Sequence, residues 1–378
     1  MSTFANSESF DFELTDHGLR VSSRNDGGDF LLPYLWLRDH CRAEHSFNRE
    51  TGQRKQTPTE LDSKISASQL QWRADKRELS VQWNNGEPPG LYPSEFFDNI
   101  TAGGAIGEKF IAPQTWDAAM LADNAPLVEF ENIAAGETQW LMNLAKYGFV
   151  LISGAPPDKE GARAVADAVG HIRETIFGGL WTLESGAREH QDTAYSSEAL
   201  SAHTDFTYSH DAPGLQMLLC SEMKCTGGAS TLADGFRIAE IMREEDPELY
   251  EFLCALPVPG EYLEKNVHLR ACRPMFRHNP ETGCLAQVSY NCYDRAPFLP
   301  SPEDSERFYR GVRRFHELAN SQELTWERQL SPGMVLLFDN WRLLHGRRAF
   351  SGFRKFFGCY LDRETLQSKL RVVFGKTL

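Results

Sequence analysis

The feature that most constrains the fold is a pair of polar segments about 140 residues apart in a chain of 378 residues. The first contains His203-Thr-Asp205, and the second contains His345, with Arg354 nine residues further on. Two imidazoles and one carboxylate on one face of an Fe(II) ion leave three coordination positions open, as in the facial triad of non-haem iron oxygenases. A nearby guanidinium can bind a carboxylate through two parallel hydrogen bonds. Such a site requires a fold that brings the two distant segments together.

A His-x-Asp triplet is a weak signal by itself. The chain has 11 His residues, and a second triplet of the same pattern occurs at His190-Gln-Asp192. Other histidines also follow the first segment: His210, His268, His278 and His316. The alternative for each of these histidines is a solvated or hydrogen-bonded side chain without a metal.

The hydrophobic pattern supports pairing of the distant segments. An apolar run at 333–338 predicts a buried strand shortly before His345, and residues 353–360 predict the next strand, which would carry Arg354 back toward the metal. Further strands are predicted at 18–22, 79–83 and 148–153, and helices at 137–147, 158–172, 236–244 and 305–320. Periodicity alone predicts a mixed, β-rich fold.

Longer motifs surround these residues and continue over most of the chain. They are Leu35 to Cys41, Asp192 to Tyr195, Cys225 to Gly228, Ala233 to Gly235, Tyr290 to Arg295, Asp339 to Arg347 and Gly358 to Tyr360. The motifs resemble the γ-butyrobetaine hydroxylase and trimethyllysine hydroxylase family of TauD/TfdA-like Fe(II)/2-oxoglutarate dioxygenases. The resemblance implies a mainly β fold with flanking helices. A double-stranded β-helix (jelly-roll) catalytic core would occupy residues 105–378, and a small N-terminal β-rich domain would occupy residues 1–104.

The resemblance also implies the cofactors and the residues that hold them. His203, Asp205 and His345 would bind Fe(II). Arg354 would bind a carboxylate of the cosubstrate 2-oxoglutarate, and Ser230 would lie near that cosubstrate. O2 would be the second cosubstrate, with ascorbate as a supporting reductant.

The family binds a trimethylammonium group in an aromatic cage, and the matching positions are aromatic here: Phe177, Trp181, Tyr195 and Tyr360. A quaternary cation cannot donate a hydrogen bond, but each favourable ring face attracts it by about 0.5–2 kcal/mol. The alternative is that these rings belong to the hydrophobic core, because the chain has 24 Phe, 8 Trp and 11 Tyr residues.

The position of the substrate's other end departs from parts of the family. Asp192 stands where γ-butyrobetaine hydroxylases have an Asn, and it matches trimethyllysine hydroxylases; the alternative is a surface carboxylate. Cys292, after Asn291, stands where both groups have Asn, and a thiol is a weak hydrogen-bond partner. The expected function is hydroxylation of an unactivated methylene in a small trimethylammonium compound of the trimethyllysine or γ-butyrobetaine type. The alternatives are an analogue with a different anionic head, such as 2-(trimethylammonio)ethylphosphonate, and a non-catalytic jelly-roll binding protein.

The N-terminal region also departs from many relatives, which bind structural zinc through a Cys-x-Cys-x-x-Cys run and a distant His. The corresponding positions are Cys41, Ala43, Ser46 and Tyr92. Because Cys41 and the nearby His45 cannot make a closed tetrahedral site, the N-terminal domain is expected to be a remnant without zinc.

The composition narrows the class of partner. A net charge of −14 argues against nucleic acid, whose phosphates need a basic partner. No stretch approaches the roughly 20 apolar residues of a membrane span. The polar N-terminus and 8 scattered Cys residues indicate a cytoplasmic protein with reduced thiols, and a homodimer is a further expectation.

Overall fold

The computed structural model describes residues 2–25, 28–100, 111–185, 196–280 and 282–374, without the side chain of Asn99. These residues fall into two compact units, one within residues 1–109 and one within residues 110–375. The predicted domain boundary between residues 104 and 105 lies outside the described residues and stays a prediction.

The N-terminal unit consists of small antiparallel sheets. Its elements are β1 (Phe4–Asn6), β2 (Phe10–Leu14), β3 (Gly18–Ser23), β4 (Asp29–Pro33), α1 (Tyr34–Asp39), β5 (Phe47–Asn48), β6 (Gln53–Arg54), a 3-10 helix (Pro58–Glu60), β7 (Ala67–Arg73), β8 (Glu78–Trp83), β9 (Gly90–Pro93) and α2 (Ser94–Ile100). The sheet orders are β1-β2-β3-β4, β7-β8-β9 and β5-β6. Alternate side chains enter one core, as Phe10 and Phe12 of β2 do, because side chains of a strand alternate between its two faces. The strands predicted at 18–22 and 79–83 are confirmed as β3 and β8.

The positions that match the relatives' zinc ligands make other contacts here. Cys41 is buried in the core of the N-terminal unit. Tyr92 Oη donates to the Leu37 carbonyl at 2.6 Å, and Arg38 Nη1 donates to Ser46 Oγ at 2.9 Å. In this region the tyrosine hydroxyl and the guanidinium donate hydrogen bonds, and Cys41 is the single thiol. The absence of zinc stays a prediction.

The second unit is built on two sheets. Its strands are β10 (Leu127–Glu129), β11 (Phe149–Ser153), β12 (Ile172–Arg173), β13 (Leu180–Glu184), β14 (Leu200–His203), β15 (Leu215–Gly227), β16 (Ser230–Asp234), β17 (Val258–Glu264), β18 (Val267–Arg273), β19 (Phe276–His278), β20 (Leu285–Val288), β21 (Thr325–Arg328), β22 (Val335–Asp339), β23 (Leu343–Arg347) and β24 (Phe350–Leu361). The larger sheet has the order β10-β11-β22-β15-β24-β12, with β13 also paired to β24. The smaller sheet has the order β14-β23-β16-β21, and β17-β18 and β19-β20 form separate pairs.

Helices cover the outer faces of the two sheets. They are α3 (Ala118–Leu121), α4 (Phe130–Ala134), α5 (Gln139–Tyr147), α6 (Lys159–Val169), α7 (Gly235–Glu245), α8 (Pro247–Ala255), α9 (Pro302–Ala319) and α10 (Arg363–Phe374). One core packs α5, α6 and α10 on the larger sheet, and another packs α7, α8 and α9 beside the smaller sheet. A third core joins the two sheets through Phe149, Phe338 and Phe356 of the larger and Leu232, Trp326 and Leu343 of the smaller. This sandwich confirms the predicted jelly-roll core with flanking helices.

Six of the described α-helices were not predicted from the sequence, and α8 and α10 are the longest of them. α8 begins directly after Asp246, which ends α7 and accepts a hydrogen bond from Leu249 N at 3.0 Å as the cap of α8. Its Asp-Pro start is a helix signal that the periodicity of the short helix does not reveal. α10 buries Leu366 and Leu370 one turn apart. No described helix is long and apolar enough to cross a membrane.

Candidate active site

The smaller sheet brings the two distant polar segments together. His203 ends β14, His345 lies in β23, and the two residues are antiparallel cross-strand partners. Oδ1 of Asp205 lies 3.4 Å from Nε2 of His203, and Oδ2 lies 3.6 Å from Nε2 of His345. Within the described residues, this is the one group of three or more His, Cys, Asp or Glu side chains that could hold a metal ion. Two imidazoles and one carboxylate suit Fe(II). The alternative triplet at His190 lies outside the described residues.

Hydrogen bonds orient two of these three side chains. A proton on Nδ1 of His203 can be donated to the Ser201 carbonyl at 2.9 Å, which leaves Nε2 facing Asp205. Tyr360 Oη donates to Oδ2 of Asp205 at 2.7 Å. The backbone N–H of Asp205 donates to Oδ1 of Asn340 at 2.8 Å, so the main chain of the carboxylate ligand is fixed as well.

Burial and nearby charges favour the metal-binding forms of Asp205 and His345, whereas the pKa of His203 is raised. Burial would raise the pKa of Asp205, but the two histidines and the hydrogen bond from Tyr360 outweigh burial and hold that pKa below its ordinary value. Burial, helped by the neighbouring His203, lowers the pKa of His345 to about 3. Burial would likewise lower the pKa of His203, but the hydrogen bond with Asp205 outweighs it and raises that pKa. At neutral pH the carboxylate is therefore ionised and His345 is neutral, as metal ligation requires.

Backbone strain lies next to the carboxylate. Phe206 has φ of +61°, in the left-handed region that a bulky side chain rarely adopts. Such conformations cost about 1–3 kcal/mol and persist where the surrounding structure imposes them, often at functional sites. Here the turn at Phe206 directs its ring toward Tyr360 and Phe177, with centroid distances of 5.0 and 5.9 Å.

One cavity contains the triad and most of the other predicted site residues. It has about 1050 Å³ of empty space, counted out to its open mouth. Nine predicted residues line it: Phe177, Trp181, His203, Asp205, Ser230, Asn291, His345, Arg354 and Tyr360.

Arg354 supplies a buried positive charge to this cavity. The residue is 6% exposed, and its guanidinium carbon lies 4.8 Å from the ring centroid of Phe350 and 4.9 Å from that of Phe356. Among the described residues, no carboxylate lies within 4.0 Å of this guanidinium, and the guanidinium donates no hydrogen bond to another side chain. Burial lowers the pKa of Arg354, and the positive charge of Arg347 adds to the shift. A buried guanidinium without a paired carboxylate favours the binding of an anionic ligand.

The two neighbouring arginines are bound by other groups of the protein, although Arg347 also lines the cavity. Arg347 Nη2 donates to the carbonyls of Ser196 and Glu198, both at 2.6 Å. Arg348 pairs with Glu327 at the surface, at 2.8 Å. Arg354 is therefore the better candidate for binding the carboxylate of a small molecule.

Aromatic rings form another wall of the cavity. Trp181 and Tyr360 have centroids 5.8 Å apart, and Phe177 packs edge-on against Tyr262 at 5.8 Å. Trp181 lies across Gly358 on the paired strand, where a Cβ atom would meet the indole ring at 2.1 Å. The missing side chain of Gly358 thus allows the indole to lie close to β24.

Three predicted substrate residues are not among the lining residues. Asp192 and Tyr195 lie outside the described residues. Cys292 is exposed, and its Sγ lies 2.9 Å from Tyr290 Oη. Asn291 does line the cavity, but its amide is bound within its own turn, because Nδ2 donates to Asp294 at 2.7 Å. The substrate roles of all these residues stay predictions.

The sequence did not reveal two members of the aromatic cluster beside the cavity. Phe206 and Tyr262 are both buried there, packed with Tyr208 and Tyr360. Phe206 directly follows the ligand triplet, so its position was a usable signal. Tyr262 belongs to the β17–β18 hairpin, about 60 residues from the triplet, and no local pattern links it to the site.

Comparisons with known proteins match both units. A model of the taurine catabolism dioxygenase TauD, TfdA family matches residues 111–360. A model described as gamma-butyrobetaine hydroxylase-like, N-terminal, matches residues 12–97.

Individual relatives match over most of their length. A mitochondrial trimethyllysine dioxygenase of Rattus norvegicus is 33% identical over 353 residues, which cover 90% of this chain and 82% of the relative. A gamma-butyrobetaine dioxygenase of Pseudomonas sp. strain AK-1 is 29% identical over 345 residues, covering 90% and 89%. The crystal structure of PvcB from Pseudomonas aeruginosa is 18% identical, with a TM-score of 0.48 over 63% of this chain and 86% of that one. The predicted resemblance is confirmed: this chain belongs to the taurine catabolism dioxygenase TauD, TfdA family and is an Fe(II)- and 2-oxoglutarate-dependent dioxygenase.

Proposed function

We propose that this dioxygenase hydroxylates an unactivated methylene of a small trimethylammonium compound. One observation carries the proposal: a single cavity joins the His-Asp-His triad to a wall of aromatic rings and to a buried arginine that has no carboxylate partner among the described residues. The relatives named trimethyllysine dioxygenase and gamma-butyrobetaine dioxygenase support the same substrate class.

His203, Asp205 and His345 would hold Fe(II) through their facing nitrogen and oxygen atoms. The bound ion would couple O2 to decarboxylation of 2-oxoglutarate, giving succinate and CO2, and to hydroxylation of a C–H bond. Tyr360 supports the site from outside the triad, because its hydroxyl donates to Asp205 and holds the carboxylate in place.

Arg354 would bind the distal carboxylate of 2-oxoglutarate. Its planar guanidinium can donate two parallel hydrogen bonds, and the faces of Phe350 and Phe356 restrict its orientation. The hydroxyl of Ser230 lines the same cavity and would donate to the same cosubstrate. In the free protein the unpaired buried charge of Arg354 costs free energy. A bound carboxylate would neutralise that charge, and the relief of this cost would favour cosubstrate binding.

Phe177, Trp181 and Tyr360 would hold the trimethylammonium group, together with Tyr195. Ring faces attract a quaternary cation, and the apolar surroundings strengthen that attraction by excluding water. Holding the cation in this wall would place one methylene of the substrate near the iron, which is the main contribution that binding makes to the reaction.

The anionic end of the substrate distinguishes the candidates within this class. Asp192 would attract the α-ammonium of trimethyllysine and repel the lone carboxylate of γ-butyrobetaine. A phosphonate head is the second candidate, because Cys292 replaces the amide expected at the head-group position. Asp192→Asn should lower activity on trimethyllysine and raise relative activity on γ-butyrobetaine. At an effective dielectric near 20, two unit charges about 4 Å apart interact by roughly 4 kcal/mol, enough to reverse a preference.

The direct test measures succinate formed from 2-oxoglutarate in the presence of Fe(II) and each candidate: trimethyllysine, γ-butyrobetaine and 2-(trimethylammonio)ethylphosphonate. At least one should stimulate succinate release and yield a hydroxylated product by mass spectrometry. His345→Ala is the matched inactive control. If none of the three stimulates turnover while a substrate without a quaternary ammonium does, the proposed substrate class is wrong.

A cytoplasmic location and a homodimer complete the proposal. Light scattering of the purified chain measures its mass directly, and a monomeric mass across concentrations would contradict the homodimer. Fractionation of the native cell type tests the location, since the mammalian relatives carry mitochondrial names.

A further inference from the structure

A second, smaller cavity lies beside the segment that carries Asp205. It has about 370 Å³ of empty space out to its mouth and is lined by parts of the β17–β18 hairpin, of α9 and of the chain at 289–295. Asn291 lines both this cavity and the catalytic one. The side chain of Asn291 is hydrogen-bonded to Asp294 and to the backbone N–H of Tyr293. Because Asn291 lines both spaces, this turn separates one cavity from the other.

Two buried polar atoms at this cavity lack a hydrogen-bond partner among the described residues. Thr207 and Arg273 are each 8% exposed. Thr207 Oγ1 and Arg273 Nη2 are both buried, and neither makes a hydrogen bond to a described residue. Buried polar groups are almost always hydrogen-bonded, so two in one cavity indicate a bound species that supplies the missing partners.

The charged side chains that line the cavity favour the binding of an anion. Arg273 and Arg295 both line it, and no Asp or Glu is among its described lining residues. The described residues offer no carboxylate within 4.0 Å of either guanidinium. The charge of Asp211 acts on Arg273 from farther away, and Asp211 itself pairs with Arg173 at 2.8 Å. Burial lowers the pKa of Arg273, and the charge of Arg277 adds to that shift. An isolated charge in such a site is costly unless a ligand pairs with it.

The hairpin fits closely over this cavity. A Cβ atom on Gly260 would lie 2.7 Å from Thr207 Oγ1, so glycine allows β17 to approach the hydroxyl. Gly260 also forms a bridge with Arg295. The hairpin is thereby held against both Thr207 and the chain at Arg295.

We propose that this cavity is a binding site for a small anion, a halide or a carboxylate, held by the Arg273 guanidinium and the Thr207 hydroxyl. The anion can come from solution or be the carboxylate end of a bound small molecule. Because Thr207 lies two residues after Asp205, the bound anion would sit directly behind the metal-binding segment.

Bromide is the probe, because its anomalous scattering identifies it in crystals of the intact chain. We expect anomalous density between Arg273 and Thr207. Replacing gluconate by bromide at constant ionic strength should raise the melting temperature in a saturable way. Water in the cavity, with equal melting temperatures in the two salts, overturns the proposal.

Two variants and a control locate the effect. Arg273→Met should abolish the bromide response. Thr207→Val keeps the side-chain shape and should weaken bromide about tenfold, because it removes one hydrogen bond to a charged ligand; it also serves as the test if Arg273→Met does not fold. The control is Arg270→Met on the same strand, where the guanidinium is exposed and pairs with Glu261. An unchanged bromide response in Thr207→Val, or loss of the response in the control, contradicts the assignment.

Kinetics of the holoenzyme distinguish the two sources of the anion. If the site takes the carboxylate of the substrate, bromide should compete with that substrate, and Arg273→Met should raise its KM without changing the 2-oxoglutarate requirement. If the site takes a free anion, bromide should bind without changing the KM. The bromide density does not depend on the substrate, so its absence contradicts the anion site without touching the proposed hydroxylase function.

Discussion

Two arginines are buried in the same sandwich, and the chain treats their charges in opposite ways. Arg342 is 2% exposed at its side chain and binds the fully buried Asp234 through two hydrogen bonds of 3.0 and 2.7 Å. It also donates to the carbonyls of Lys146 and Gln114. Arg354 is 6% exposed, faces a cavity and has no carboxylate partner among the described residues.

The difference separates a structural charge from a functional one. A buried ion pair with every donor satisfied holds elements together, and breaking it leaves an uncompensated charge. A buried cation without a carboxylate partner among the described residues can instead bind an anionic ligand. We call the Arg342–Asp234 pair the joint and the space lined by the triad and Arg354 the catalytic cavity. Changes in the joint should therefore affect stability, and changes in the catalytic cavity should affect ligands.

The largest expected effect is in the joint. Asp234→Asn keeps an oxygen for the hydrogen bond from Phe236 N that caps α7, but it removes the charge that pairs with Arg342. We expect a loss of about 3–5 kcal/mol in the free energy of unfolding, measured by chemical denaturation. The control Glu245→Gln breaks an exposed pair with Arg314 and should leave stability nearly unchanged. A joint variant as stable as the control would remove the distinction between the two regions.

The next effect is on turnover. His345→Ala removes a metal ligand, and even residues that only support metal ligands cost about 10–100-fold when removed, so we expect a loss of more than about 100-fold. Fe(II) affinity should fall with it, while the melting temperature of the metal-free protein changes little. Near-normal succinate formation by this variant would show that the iron is held elsewhere.

Arg354→Lys tests the other end of the catalytic cavity. A lysine keeps the charge but cannot donate the paired hydrogen bonds, and a bond to a charged group is worth roughly 1.5–3 kcal/mol. The 2-oxoglutarate concentration needed for half-maximal turnover should rise about tenfold or more, with stability unchanged. Arg348→Lys, at the surface pair with Glu327, is the matched control. Loss of stability in Arg354→Lys without a change in the cosubstrate requirement would make Arg354 structural, like Arg342.

The smallest effect is expected in the aromatic wall. Trp181→Leu should weaken the quaternary substrate by about 0.5–2 kcal/mol, because one ring face is lost, and should leave 2-oxoglutarate unaffected. Substrate competition assays with an uncharged tert-butyl analogue separate ring contact from charge. If the analogue binds the unmutated enzyme as well as the trimethylammonium compound does, the wall recognises shape and not charge.

The sequence alone determined the chemistry of the site. The spacing of His203, Asp205, His345 and Arg354, with the strands around them, predicted the ligand set, and the resemblance of the longer motifs to a known family predicted the jelly-roll fold. Several predicted elements are confirmed as β11, α5, α6, α7 and α9. These predictions depend on local patterns and on motif order, which a sequence shows directly.

Only the tertiary structure decided which buried arginine is neutralised within the chain, because Arg342 and Asp234 are 108 residues apart and neither lies in a pattern that pairs them. It also decided that Gly358 makes room for Trp181, that Phe206 adopts a left-handed backbone, and that Thr207 and Arg273 share a cavity. Residue types fix what a side chain can do, but whether its charge or hydroxyl has a partner depends on packing between distant strands.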